Sequence, residues 1–100
     1  MRLELSEAAL ADIRSIREFT LEHWGPTQED FYLNSMWAVF LEIQEKPSSF
    51  RFRNDLFPSC QIATSGSHLI LFRIQNEAVQ VARGLHRSMD FQRHIPEEYL

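Results

Sequence analysis

The sequence predicts a single α+β domain: an N-terminal strand, an antiparallel two-helix hairpin and a three-strand antiparallel meander, with all strands in one sheet and the hairpin on one face. Three observations predict this fold. The chain has 100 residues, 44% of them hydrophobic, which is enough for one core. Its first half contains two helix-like segments, the first with an apolar stripe at helical spacing and the second apolar almost all round, separated by a Gly-Pro break. Its second half contains three strand-like segments separated by short turns.

The first half of the chain predicts a strand followed by the helical hairpin. Arg2–Leu5 alternates as a short strand does, and Ser6 is a good N-cap for a helix that runs to about Glu22. His23–Pro26 interrupts the helical pattern, because glycine frees the backbone and proline cannot continue a helix. We expect Thr27 to cap the second helix, and the short connection implies that the two helices are antiparallel.

The second helix is apolar almost all round. Between Phe31 and Ile43 only Asn34, Ser35 and Glu42 are polar. A helix that is apolar on every side is normally buried, but a domain of this size has few elements with which to cover it. Either another chain covers part of this helix, or the fold itself covers all of it. Trp24 at the hairpin tip is likewise either a lid on the core or an exposed anchor for a partner.

The second half predicts the meander. Cys60–Thr64, His68–Gln75 and the segment Val79–His86 have strand character, and Ser65-Gly66 and Asn76-Glu77 are the turns between them. The middle strand is apolar on both faces, so we expect it to be central in the sheet.

Two segments of the second half lack a regular pattern. Phe50–Pro58 is predicted to be an irregular connection whose arginines are either solvated or contact a partner. The tail at residues 92–100 is a segment that could become ordered only against a partner. The domain as a whole is expected to extend over residues 1–100.

Charge and composition exclude several classes of protein. The net charge is −4 and the isoelectric point about 5.5, which argues against direct binding of a nucleic-acid backbone. Residues 51–100 nevertheless carry six bases against five acids, and all six are arginines, which suit forked contacts with carboxylates. No secretory signal and no membrane span are predicted, and one cysteine forms no internal disulfide. We expect a cytoplasmic protein.

The sequence shows no motif for a cofactor or a metal. Its three glycines are not clustered, the four histidines are scattered, and no paired cysteines are present. Cys60 is expected to be a small core residue and not a nucleophile. We predict no cofactor and no metal.

The end of the last strand is the most polar part of the second half. A strand end that brings several polar side chains to one rim is a common place for a functional surface. The simpler interpretation for two of these residues is that His86 and Asp90 form a structural pair that ties the strand end to the tail. The predicted functional rim consists of Arg83, His86, Arg87, Met89, Asp90 and Phe91.

Several of these segments together resemble the ParE-type toxins of the RelE/ParE toxin–antitoxin superfamily. The resemblance extends from Leu5 to about Ile95 and depends on order and spacing more than on any single motif. The matching positions are Leu5, Ser6, Ala9, Asp12 and Ile13 around the start of the first helix, then Trp24, Gly25, Tyr32 and Pro47, and finally Gly66, His68, Ile70, Phe72, Leu85, His86, Met89 and Asp90.

This resemblance implies a bacterial toxin that acts by protein binding and not as an enzyme. The implied target is DNA gyrase, contacted through the rim, and the implied partner is a ParD-like antitoxin in a hetero-oligomer. An antitoxin segment would occupy the apolar surface of the helical hairpin, and its acidic side chains would pair with arginines. The candidate antitoxin-binding residues are Trp24, Phe31, Trp37, Phe40 and Arg73.

Two alternatives remain open. RelE-type relatives cut messenger RNA on the ribosome, and the chain has Arg73, Arg83, His86 and Arg87 for such chemistry. Its acidity, its single lysine and a phenylalanine where a catalytic tyrosine would be sought count against cleavage. The other alternative is a member of the superfamily that has lost toxicity and serves as an interaction module.

Overall fold

A computed structural model describes all residues from 1 to 100. Its helices and strands follow in the predicted order, with short 3-10 turns in the connections. The regular elements are β1 (Arg2–Leu5), α1 (Glu7–Trp24), α2 (Pro26–Glu45), β2 (Gln61–Ser65), β3 (His68–Gln75) and β4 (Ala78–His86). Neither helix is long and apolar enough to cross a membrane.

The four strands form one mixed sheet in the order β1-β4-β3-β2. The last three strands are an antiparallel meander, as predicted, and β3 is an inner strand. β1 lies beside β4 and runs parallel to it, with Arg2 opposite Ala78 and Leu5 opposite Val81. The connection between these parallel neighbours comprises the helical hairpin, β2 and β3, and the hairpin carries the chain from the edge strand β1 to the opposite edge strand β2.

The hairpin is tighter than the sequence indicates. The Ser6 side chain caps α1 by accepting a hydrogen bond from the Ala9 N–H at 2.9 Å. Gly25 alone connects the two helices with a φ of 88°, a conformation that favours glycine. The prediction that Thr27 caps α2 is wrong, because the helix already begins at Pro26. Proline is well suited to this first position, where the backbone needs no N–H donor.

The helix-side core lies between the hairpin and the inner face of the sheet, as predicted. Side chains of α1, α2 and three strands interlock there, which is how a helix layer on a sheet excludes water. Its buried members are Ala9, Ile16, Met36, Phe40, Ile43, Ala63, Ile70, Phe72, Val79 and Val81.

A second core covers the opposite face of the sheet, and the sequence analysis missed it. The irregular connection contributes Leu56 and Phe57, and the tail contributes Tyr99, whose ring meets that of Phe57 edge-on at 5.2 Å. The tail thus has a place within this chain's own fold. The other buried members are Cys60, Ile62, Leu71, Ala82 and Leu85.

A β-bulge shifts the pairing of β3 with β4. Phe72 is opposite Val81, but the preceding Leu71 is opposite Arg83, so Ala82 is the extra residue on β4. From this point to the strand end every partner is displaced by one position. The bulge therefore places His86 directly opposite His68.

Candidate functional site

The two faces of α2 have different environments. Met36, Phe40 and Ile43 are buried in the helix-side core. Phe31 is 66% exposed, Trp37 52% and Leu41 50%, and we call these three residues the outer face of α2. The alternative that the fold itself covers the whole helix is therefore wrong, and cover of the exposed side by another chain stays a prediction. An apolar surface of this kind on a small domain is typical of a binding site.

Two of the five candidate antitoxin contacts have structural roles. Phe40 is only 2% exposed and fills the core, so the prediction that it is a surface anchor is wrong. Arg73 is half-buried, donates to the Gln80 side chain at 2.8 Å and lies 4.1 Å above the Tyr99 ring. Its guanidinium thus fastens the tail to the sheet through a cation–π contact.

Trp24 is the most accessible of the candidate contacts. Its side chain is 70% exposed at the end of α1, so the interpretation as a core lid is wrong, and its role as an anchor for a partner stays a prediction. Together with Phe31 and Trp37 it is a candidate contact that remains open to a partner.

Arg83 of the predicted rim is committed to an ion pair inside the chain. Its guanidinium donates to both carboxylate oxygens of Asp12 at 2.6 and 2.7 Å and to the His94 carbonyl at 3.1 Å. Asp12 also accepts from the Gly84 N–H, so α1 is fastened to the end of β4. The hydrogen bonds to Asp12 raise the pKa of Arg83 against the opposing effect of burial. Arg83 is thus a structural residue.

The remaining rim residues differ in accessibility. His86, Arg87, Met89 and Asp90 are exposed, whereas Phe91 is half-buried against the second core. The predicted pair of His86 and Asp90 is wrong. The His86 Nδ1 instead lies 2.7 Å from the Ser88 Oγ, and Asp90 approaches Arg93 at 3.4 Å. The Met89 N–H donates to the His86 carbonyl and closes a tight turn. The His86 imidazole stays next to Ser88 of this turn.

The four residues considered for RNA cleavage do not converge. His86 lies on the helix side of the sheet, where it lines one cleft together with Phe19 and Thr20 of α1. Arg73 lies over Tyr99 in the second core, and the guanidinium of Arg83 is held by Asp12. The arrangement that the nuclease alternative requires is therefore not assembled by these residues.

A cleft of about 420 Å³ lies between the tip of the helical hairpin and the paired ends of β3 and β4. We call it the histidine cleft, because His68 and His86 meet there edge-on with their ring centroids 5.4 Å apart. The sequence analysis treated the histidines as scattered and did not anticipate this site. Its lining residues are Phe19, Thr20, Trp24, Gln28, Tyr32, Ser67, His68 and His86.

Tyr32 organises the floor of the histidine cleft. Its hydroxyl lies 2.6 Å from the His68 Nδ1, accepts from the Ser67 N–H at 2.9 Å and lies 3.2 Å from the Ser65 carbonyl. Gly66 permits this contact, because a Cβ at that position would lie 2.6 Å from the tyrosine ring. The Tyr32 side chain thus holds the β2–β3 turn in close contact with α2.

The electrostatics of the cleft favour a neutral His68. Burial lowers the pKa of His68 below its ordinary value, and the neighbouring His86 lowers it further, against a weaker opposing effect of Asp12. Groups whose pKa is displaced within a cleft are frequent in functional sites.

Cys60 takes no part in either surface. It is fully buried in the second core, and burial raises the pKa of its thiol to about 12. A thiol that remains protonated is a poor nucleophile, which agrees with the predicted structural role.

The fold and these surfaces describe a small α+β domain with an uncovered apolar helix face. Comparison with known proteins identifies the family. A sequence model described as the ParE toxin of the type II toxin-antitoxin system parDE matches residues 3–91. The chain belongs to the ParE toxin family of type II toxin–antitoxin systems.

Individual relatives agree with this assignment. The chain is 30% identical to Toxin ParE1 of Mycobacterium tuberculosis over 95 residues, which is 94% of this chain and 97% of the relative. It is also 30% identical to Toxin ParE1 of Caulobacter vibrioides over 91 residues, covering 91% and 94% of the two chains. A solved structure of the chromosomal ParDE system from P. aeruginosa superposes with a TM-score of 0.74 at 18% identity, over 86% of this chain and 95% of that one. The latter match supports the fold.

Proposed function

We propose that this toxin is neutralised by a ParD-like antitoxin that binds the outer face of α2 and Trp24. The observation that carries this proposal is the exposure of Phe31, Trp37 and Leu41 on a helix whose opposite side is packed in the core. Large aromatic side chains that are free in one chain and buried in a complex supply much of the binding energy of protein interfaces. The ParDE system that superposes on this chain supports an antitoxin of the ParD type.

The mode of binding follows from the shape of this surface. A helix face with apolar side chains suits an amphipathic helix of the partner, which would become ordered as it binds. The exposed arginines Arg14 and Arg87 have no side-chain partner in the chain and can pair with acidic side chains of the antitoxin, whereas Arg17 pairs with Glu29 at 3.0 Å. Arg73 and Arg83 are excluded from that role because they already have partners in the chain.

We further propose that the toxin acts by binding DNA gyrase, without bond-breaking chemistry of its own. The resemblance to ParE-type toxins motivates this target, and the exposed rim of His86, Arg87, Met89 and Asp90 is the surface we assign to it. The negative net charge supports a protein target over a bare nucleic acid, and gyrase would be met in the cytoplasm.

The experiment for gyrase combines growth with supercoiling. Induction of the toxin alone should arrest growth, co-expression of the antitoxin should restore it, and purified toxin should abolish supercoiling by gyrase while messenger RNA stays intact. Cleavage of messenger RNA on ribosomes, with supercoiling unimpaired, would instead establish the nuclease alternative. Normal growth with unaffected gyrase would establish the non-toxic module.

A pair of charge reversals tests the rim. Arg87→Glu should weaken gyrase inhibition, because Arg87 is exposed and its guanidinium has no partner within the chain. Arg51→Glu makes the same charge change at an exposed position of the irregular connection and should leave inhibition unchanged. Equal inhibition by both variants would exclude Arg87 from the target surface.

A further inference from the structure

The histidine cleft has a composition that is unusual for this chain. The protein has 14 acidic and ten basic residues, yet none of the residues that line the cleft is acidic. The lining instead combines two imidazoles, three hydroxyl groups, one amide and exposed aromatic rings. Such a surface is compatible with an anionic ligand, because no carboxylate is present to repel it.

The hydrogen bonds of His86 determine which of its nitrogens carries the hydrogen. The Ser88 N–H can only donate, and it lies 3.2 Å from the His86 Nδ1. The neutral ring therefore has its lone pair on Nδ1 and its hydrogen on Nε2. The Nε2–H has no partner within the chain and belongs to an exposed side chain, so it is free to donate to a ligand.

The same reasoning applies to His68. The Tyr32 hydroxyl accepts from the Ser67 N–H, and its own hydrogen has two possible acceptors, the His68 Nδ1 at 2.6 Å and the Ser65 carbonyl at 3.2 Å; we assign the hydrogen to the shorter contact, with His68. The hydrogen of the neutral His68 ring is then on Nε2. No buried side-chain nitrogen lacks a partner, so this unpaired Nε2 is accessible, and the space beside it is the cleft.

Two donors are thus available beside each other on rings whose centroids are 5.4 Å apart. Oxygens of a phosphate can accept from both, since a phosphate presents several acceptors in different directions. Protonation of either imidazole would add a positive charge without removing its Nε2 donor. The floor of the cleft therefore favours a group rich in acceptor oxygens.

The mouth of the cleft favours a flat ring. Phe19 and Trp24 are large aromatic side chains, 56% and 70% exposed, that line it from the hairpin. Exposed aromatic faces of this kind stack on nucleobases, whatever the base. The Gln28 amide is exposed, has no partner within the chain and can both donate to and accept from the edge of a base.

We propose that the histidine cleft binds a nucleoside monophosphate, with its phosphate on His68 and His86 and its base against Trp24. The cleft volume of about 420 Å³ lies in the range of small-molecule sites. The site shares Trp24 with the proposed antitoxin surface and His86 with the proposed gyrase rim, but the inference itself depends on neither surface, because it rests on the geometry and chemistry of the cleft lining.

Fluorescence of Trp24 offers a direct test. Trp37→Phe leaves Trp24 as the single tryptophan, and Trp37 lies on the outer face of α2, away from the cleft lining. Titration with adenosine monophosphate should change this emission saturably, with weaker effects of adenosine and of inorganic phosphate. The imidazole signals of His68 and His86 should shift in the same titration by NMR, whereas those of His94 should not.

Variants separate the two parts of the site. His68→Gln and His86→Gln should each weaken binding of the monophosphate by about tenfold, the usual effect of losing one hydrogen bond to a charged group. Trp24→Ala should weaken adenosine and its monophosphate alike, and His94→Gln is the matched control that should change neither. Absence of binding by the adenosine, guanosine, cytidine and uridine monophosphates would overturn the proposal. Equal affinities for adenosine and its monophosphate, or unchanged affinity in a His68→Gln/His86→Gln double variant, would overturn it as well.

Discussion

The outer face of α2 and the histidine cleft are both open to solvent, but they are built in different ways. On the outer face, Phe31, Trp37 and Leu41 project from a helix whose position is determined by other residues in the core. On the floor of the cleft, polar groups are oriented by their neighbours, from Ser67 through Tyr32 to His68. Apolar area without fixed polar partners suits burial by another protein, whereas oriented donors suit a small polar ligand.

This contrast implies that substitutions on the outer face have little effect on the free energy of unfolding. Substitutions of the oriented groups in the cleft should lower it. The following substitutions test the contrast, from the largest expected effect to the smallest.

Phe40→Ala and Leu41→Ala compare the two sides of α2 at adjacent positions. Phe40 is buried, so its truncation should lower the free energy of unfolding by roughly 3–5 kcal/mol through lost burial and a residual cavity. Leu41 is half exposed, so its truncation should cost less than about 1 kcal/mol. Urea denaturation measures both. Similar losses would mean that the outer face is part of the core.

Gly66→Ala tests how closely the cleft wall is fitted. The added Cβ would collide with the Tyr32 ring, and Gly66 has a φ of 58° that alanine adopts poorly. We expect a loss of about 2–4 kcal/mol in the free energy of unfolding. In a Tyr32→Ala background the same substitution keeps this φ but no longer meets the tyrosine ring, so it should cost less there. Equal losses would mean that backbone strain alone accounts for the effect.

Tyr32→Phe removes only the hydroxyl at the cleft floor. The Ser67 N–H loses its acceptor and the His68 Nδ1 loses its partner, so we expect a loss of about 1–2 kcal/mol in the free energy of unfolding. A stability within error of the parent protein would show that water replaces the hydroxyl without cost. In that case the floor of the cleft would not be the rigid part of the molecule that we describe.

The smallest expected effect is a dependence of stability on pH. The pKa of His68 is lowered in the folded chain, so the unfolded state binds more protons between that folded pKa and the ordinary value of about 6.5. The free energy of unfolding should therefore fall as the pH falls through this window and change no further from His68 below it. His68→Gln should reduce this slope, and His94→Gln should keep it. Identical slopes in the parent protein and in both variants would contradict a lowered pKa of His68 in the folded chain.

Much of the fold could be predicted because its local signals agree with its tertiary structure. Ser6 is a good cap and does cap α1, and Gly25-Pro26 ends one helix and begins the next. The turn at Asn76-Glu77 has positive φ at both residues, which asparagine favours. The order of the elements and the central position of β3 followed from such signals.

The site was harder to predict for two physical reasons. A helix that is apolar all round gives no stripe, so its sequence could not show that Phe40 points inward and Trp37 outward. Counting back from the turn at Asn76-Glu77 would pair His68 with Leu85, and only the bulge at Ala82 brings His86 opposite it. The second core was missed because Leu56, Phe57 and Tyr99 lie in segments without periodicity.

The central claim is that the outer face of α2 serves binding and not folding, and Trp37→Glu tests it most directly. The affinity of this variant for the antitoxin should be measured by calorimetry beside its thermal unfolding, with Glu18→Gln as an exposed control on α1. We predict that affinity falls by roughly 30-fold or more, as for an interface hot spot, while the melting temperature changes by only a few degrees. Unchanged affinity for the antitoxin would contradict the claim. Loss of the folded structure in the variant would contradict it as well.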